Sequence, residues 1–298
     1  MPRAASTRSV PAASFVRLSF RLPVRLPVRL PIWLAICLAL CLALPLACAL
    51  FPTAATAAGL LGVVAVHDKS DSPEKYLAET VRLLRNVGFL VETPEMPWSR
   101  KRGFDASYQQ SLVEIGLAVG ELRSKGATEV AIVGHGLGAN AALGYAATRP
   151  GVFALVALAP SHDPERNRDV FLADLRKAHQ MVLSGRGTER SAFMDMRHGK
   201  DYDLSTTAEI YLSYSDPEGP AVMPRTVEGI KPPVPLLWVV GTNDPLARLG
   251  RSYAFSKAPE HPKSRYEEIL ADHAGVPAES ARMVAVWLKE LWLASEGK

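Results

Sequence analysis

No cysteine follows Cys48, and no acidic residue precedes Asp68, in this chain of 298 residues. The first absence excludes a thiol nucleophile, a disulfide framework and a cysteine metal site from everything past residue 48. A cysteine-free body also suits an oxidising compartment. The second absence relocates the net charge of +4. Six arginines (Arg3, Arg8, Arg17, Arg21, Arg25, Arg29) lie before residue 58, and the remaining 28 basic residues face 30 acidic ones, a net −2. That balance gives no reason to expect a nucleic-acid partner. The seven histidines are scattered without metal-ligand spacing, so neither a metal nor another cofactor is expected. The glycines at 134, 136 and 138 are not followed by the Lys-Ser/Thr of a phosphate-binding loop, and Asn140 stands near that place.

The leader carries its own pattern. Residues 1–31 are basic and include three four-residue repeats, starting at Arg21, Arg25 and Arg29. Residues 32–51 are apolar, and Ala55-Thr56-Ala57 offers small residues for a signal peptidase. This is the plan of a secretory signal peptide over residues 1–57, with a periplasmic or secreted product. Residues 32–51 are also long enough to stay as a membrane anchor. The basic portion is long for a signal, which allows a true start downstream of Met1.

From residue 58 onward, apolar runs alternate with amphipathic segments. Strands are expected at Leu60 to Val66, Phe89 to Val91, Val130 to Val133 and Val152 to Ala159. Helices are expected at Pro73 to Asn86, Tyr108 to Lys125 and Ala139 to Ala147. The alternation predicts a parallel sheet with helices on both faces. Residues 161–232 break the rhythm; a helix is expected at Arg166 to Ser184, with Phe171, Leu172, Leu175, Ala178 and Val182 on one face. Strands return at Pro233 to Gly241 and Tyr266 to Leu270, and a helix closes the chain at Pro277 to Leu293.

The stretch Glu129 to Ala146, EVAIVGHGLGANAALGYA, is a strand turning through glycines into an alanine-rich helix. It resembles the nucleophile elbow of the α/β-hydrolase superfamily, whose usual form is Gly-His-Ser-x-Gly. The serine's place is held by Gly136. The resemblance extends over residues 60–295. It implies an α/β-hydrolase fold over residues 58–298: a mostly parallel central sheet, helices on both faces, and a cap insertion at about 161–232.

The resemblance also implies site residues. Gly241-Thr242-Asn243-Asp244-Pro245 looks like the acid loop, with Asp244 as the acid. Asp272-His273-Ala274-Gly275 looks like the histidine loop, with His273 as the base. Taken alone, Asp244 is an ordinary turn residue and His273 a polar loop residue; their order downstream of an elbow is what links them. Backbone N–H groups of Leu137 and of the loop after the first strand, at Lys69, are the expected oxyanion donors. In that loop His67 matches the family pattern, while Asp68 replaces a glycine; an acid there opposes an oxyanion unless it points away. His67, His135, Trp98 and Ser161 are expected to border a small-molecule site. Ser161 is also the best alternative hydroxyl, although it suits a turn or cap. Two readings of function follow. One is hydrolysis of an ester, amide or similar small molecule by a water that stands at the Gly136 gap and is activated by His273. The other is a pseudo-hydrolase that binds a ligand or protein partner without catalysis.

Overall fold

The computed structural model describes residues 59–197 and 200–297; the expected signal peptide or anchor lies outside them. The first half alternates strands and helices: β1 (Leu60–Val66), α1 (Ala78–Asn86), β2 (Leu90–Glu92), α2 (Tyr108–Ser124), β3 (Ala127–His135), α3 (Leu137–Thr148) and β4 (Leu155–Leu158). Between β4 and the next sheet strand the chain carries α4 (Leu172–Leu183), an antiparallel pair β5 (Arg190–Arg197) and β6 (Lys200–Thr207), α5 (Ala208–Ser215) and α6 (Met223–Glu228). It ends with β7 (Leu236–Gly241), β8 (Arg265–Ile269) and α7 (Val276–Glu296).

The six sheet strands are ordered β2-β1-β3-β4-β7-β8, and every pairing is parallel. Strands β1 and β4 and the stretch 130–133 of β3 read as continuous apolar runs because both faces of the sheet are covered. Val64, Val66 and Ile132 pack on one face with side chains of α2 and α3. Val63, Ala65 and Val133 pack on the other with α1 and α7. The stripe Val284, Trp287, Leu288 and Leu291 of α7 is buried on that second face. Each fully buried Val or Leu contributes about 1.5–3 kcal/mol, so the two clusters fix the sheet firmly.

Strand order reverses between β1 and β3, because the chain runs outward to β2 before returning. Open parallel sheets place their sites at such a switch, beyond the carboxyl ends of the strands. Here those ends are His67-Asp68 after β1 and Gly136 after β3.

Two expected helices start later in the structure, and one strand pair was not expected. Helix α1 starts at Ala78, since residues after Pro73 close a turn through Lys75 N–H to the Ser72 carbonyl before Val81 N–H reaches Leu77. Helix α4 starts at Leu172, since Asn167 donates to the Asp163 side chain and carbonyl in preceding turns. Its buried stripe is Phe171, Leu175, Ala178 and Met181, whereas Leu172 and Val182 are exposed. The β5–β6 pair had no strand signal because its buried positions alternate Phe193 with Asp195 and Leu204 with Thr206. Among the described residues no helix is long and apolar enough to cross a membrane.

Candidate ligand site at the strand elbow

Gly136 joins β3 to α3 with φ 56° and ψ −119°, a left-handed conformation that costs a glycine least. Two residues on, Gly138 lets α3 approach the end of β1: a Cβ there would lie 2.3 Å from the Val66 carbonyl oxygen. The strand, the strained turn and the helix therefore have the elbow geometry. The gap expected at Gly136 is filled, however. A Cβ on Gly136 would lie 1.9 Å from Asp68 Oδ1 and 2.2 Å from its Cγ. Asp68 is 2% exposed, and its Oδ1 accepts the Leu137 N–H at 2.8 Å.

This corrects two expectations. The carboxylate of Asp68 points into the site, and the place kept for an activated water is taken. The Leu137 N–H is present where an oxyanion donor belongs, but Asp68 already uses it. The Lys69 side chain is committed to the insertion: Nζ donates to Asp195 Oδ1 at 2.8 Å and to the Met196 carbonyl at 3.1 Å.

Asp244 and His273 come together from separate loops. His273 Nδ1 lies 2.6 Å from Asp244 Oδ2, and Asp244 Oδ1 accepts the Leu246 N–H at 2.9 Å. The other ring nitrogen of His273, Nε2, lies 3.3 Å from Asp68 Oδ2. The imidazole thus stands between two carboxylates. Burial disfavours its charge, but hydrogen bonds to Asp244 and Asp68 outweigh burial and push its pKa up to about 10. Burial would raise Asp244, yet the His273 contact holds it below the usual carboxylate range.

His135 lies beneath this group, 1% exposed, with its ring 5.0 Å from that of His273. Its Nε2 is 2.9 Å from the His273 carbonyl oxygen, so Nε2 carries the proton and donates. That leaves Nδ1 as a bare acceptor, buried and without a hydrogen-bond partner among the described residues. An unmatched buried acceptor costs about 1–3 kcal/mol. Burial is also the chief reason that the pKa of His135 falls to about 4.

Three of the residues expected to border a ligand do not. His67 is a buried strut: Nδ1 donates to the Asp68 carbonyl at 2.8 Å, and Nε2 accepts the Met96 N–H at 3.1 Å. Trp98 is fully buried, donating to the His67 carbonyl and packing edge-on to Tyr214. Together they fix the loop that aims Asp68. His135 lies under the cavity floor and does not line it. Ser161 does line the cavity, which has a volume of about 370 Å³. Asp68, Asp244 and His273 lie on its wall, faced by Arg166 and Arg248. Tyr202 of β6 donates to Asp195 at 2.6 Å, so the Lys69–Asp195 pair ties the first loop to the insertion.

The group whose direction the sequence left open is Asp68. Two departures from the elbow pattern carried the signal together: an acid where the first loop has glycine, and glycine where the elbow has serine. One supplies a side chain to the space that the other vacates.

No protein-family model matches the sequence, and no curated protein sequence matches it. Among solved structures the chain is similar to the monoacylglycerol lipase of Paleococcus ferrophilus, at 22% identity and TM-score 0.58, over 78% of this chain and 96% of that one. It is similar to the alpha/beta hydrolase GrgF from Penicillium sp. sh18, at 14% identity and TM-score 0.59, over 81% and 92%. It is also similar to Est1E from Butyrivibrio proteoclasticus, at 16% identity and TM-score 0.54, over 82% and 92%. With its parallel six-stranded sheet, flanking helices and glycine elbow, the chain has the α/β-hydrolase fold.

Proposed function

We propose that the protein binds a small polar molecule in the cavity of an α/β-hydrolase fold and has given up acyl-serine chemistry. The observation that carries this reading is the seat of Asp68, on the Leu137 N–H and in the space of a side chain at 136. Acyl transfer needs a hydroxyl on the elbow residue and a free N–H where negative charge develops. Here the hydroxyl is missing and the N–H is capped by a carboxylate. A carbonyl oxygen entering that place would gather negative charge beside Asp68. The cavity walls carry both signs of charge, which suits a polar ligand rather than an acyl chain.

Hydrolysis through a water on His273 is the second reading. The 2.6 Å contact between Asp244 and His273 favours it. It requires Asp68 to leave the Leu137 N–H and admit water. A fluorophosphonate probe and a series of p-nitrophenyl esters separate the two readings. The binding reading expects no labelling, and turnover equal in wild type and His273→Ala. Turnover that disappears in His273→Ala establishes the hydrolytic reading instead.

The leader supports export as part of this proposal: a mature protein in the periplasm or outside the cell, held at a membrane only if residues 32–51 are retained.

A further inference from the structure

We infer that Asp68, His135 and His273 form a site for one divalent transition-metal ion of the zinc class, with Asp244 as its outer support. Two imidazoles and one carboxylate are a usual donor set for such ions. One ligand-type atom from each of the three residues lies within 4.8 Å of those of the other two. His273 Nε2 and Asp68 Oδ2 are 3.3 Å apart. Two ligands bound at about 2.0 Å to a tetrahedral ion stand about 3.3 Å from each other.

Each donor already has the second contact that metal ligands need to fix their orientation. Asp68 keeps Oδ1 on the Leu137 N–H, leaving Oδ2 beside His273. His273 turns Nδ1 to Asp244, so Nε2 is the ligating nitrogen. His135 commits Nε2 to the His273 carbonyl, which leaves Nδ1, buried and without a hydrogen-bond partner among the described residues, as its available lone pair. That unmatched, buried nitrogen is an independent sign that a partner belongs here.

Electrostatics agree. Asp68 and Asp244 bring two negative charges to the cluster. The nearby Lys69 spends its own charge on Asp195. The positive end of α3 is capped by Asp68 itself. The absent side chain at Gly136 supplies the room for the carboxylate. Asp68 and His273 lie on the cavity wall, so the free side of the ion faces the ligand space. Residues 68, 135 and 273 are far apart in sequence, which is why no ligand spacing shows in the chain.

The test uses the protein as purified, stripped with a chelator and reloaded with zinc or cobalt(II) alone. Wild type is expected to retain one ion per chain through gel filtration, measured by elemental analysis. Cobalt is expected to give the visible absorption of a low-coordinate site. Asp68→Asn and His135→Gln each weaken zinc binding by more than about 100-fold, and Asp244→Asn by about 10- to 100-fold. Asp68→Asn keeps an acceptor for the Leu137 N–H, so it decides the matter if His135→Gln does not fold. A wild type that retains no stoichiometric ion, or that binds zinc no better than Asp68→Asn, overturns the site. The inference goes beyond the proposed function: ester turnover and probe labelling of the stripped protein test that reading separately.

Discussion

Asp68 Oδ1 stands 1.9 Å from the point where a Cβ on Gly136 would sit, so the two positions cannot both carry side chains in this arrangement. Restoring a serine at 136 alone is therefore expected to fail. Gly136→Ser forces Asp68 off the Leu137 N–H and strains the turn, costing about 1–3 kcal/mol or more in urea unfolding. Asp68→Gly with Gly136→Ser clears the space and frees the N–H. The double variant is expected to recover much of that stability and to become labelled by a fluorophosphonate. If the single variant is as stable as wild type, the seat of Asp68 is wrong.

The ion pair between Lys69 and Asp195 is buried at both ends and ties the first loop to the insertion. Burial raises the carboxyl, but Lys69 outweighs it and holds Asp195 below its ordinary range. Lys69→Met leaves that carboxylate with Tyr202 as its remaining hydrogen-bond donor among the described residues, and a loss of about 3–5 kcal/mol is expected. Lys69→Met with Asp195→Leu removes both charges and should restore most of the loss. Chemical denaturation of the four proteins forms the cycle that measures it.

His162 supplies the acid dependence. It is half-buried on the cavity wall, with Nε2 2.8 Å from the Tyr214 carbonyl and with Lys69, Asp195 and Asp68 acting on it electrostatically. Burial lowers its pKa from 6.5 to about 4. The unfolded chain then binds the proton more readily than the folded one. Stability is expected to hold above pH 6.5 and to fall as pH drops toward 4, by about 3 kcal/mol from this group. His162→Gln should flatten the fall in that window. A slope identical to wild type would remove His162 as its source.

The leader makes a prediction about the ends of the mature protein. If the proposed signal peptide is cleaved, N-terminal sequencing should begin at Ala58, after Ala55-Thr56-Ala57. An N-terminus upstream of residue 32 would show that the apolar segment is retained.

Much of the fold was legible because strands buried on both faces leave apolar runs that no neighbour can disguise. Leu60 to Val66 is such a run, and β1 has the same bounds. The closing helix was legible for a similar reason: its stripe at Val284, Trp287, Leu288 and Leu291 repeats at helical spacing. The β5–β6 pair was not. Its core position at Asp195 holds a charge that is acceptable only once Lys69 and Tyr202 surround it.

The sequence by itself determined the layered architecture, the place of the elbow, and the approach of Asp244 to His273. The architecture and the elbow follow from local periodicity and from the glycines between strand and helix, whereas the pairing of Asp244 with His273 is what the resemblance to the α/β-hydrolase superfamily implied. Only the tertiary structure decided what occupies the elbow. The direction of the Asp68 side chain depends on the His67 strut, the buried Trp98 and the α3 N–H that receives it, groups drawn from three separate segments. A side chain at the end of a strand points into a site or away from it according to such partners, and no local pattern along the chain records them.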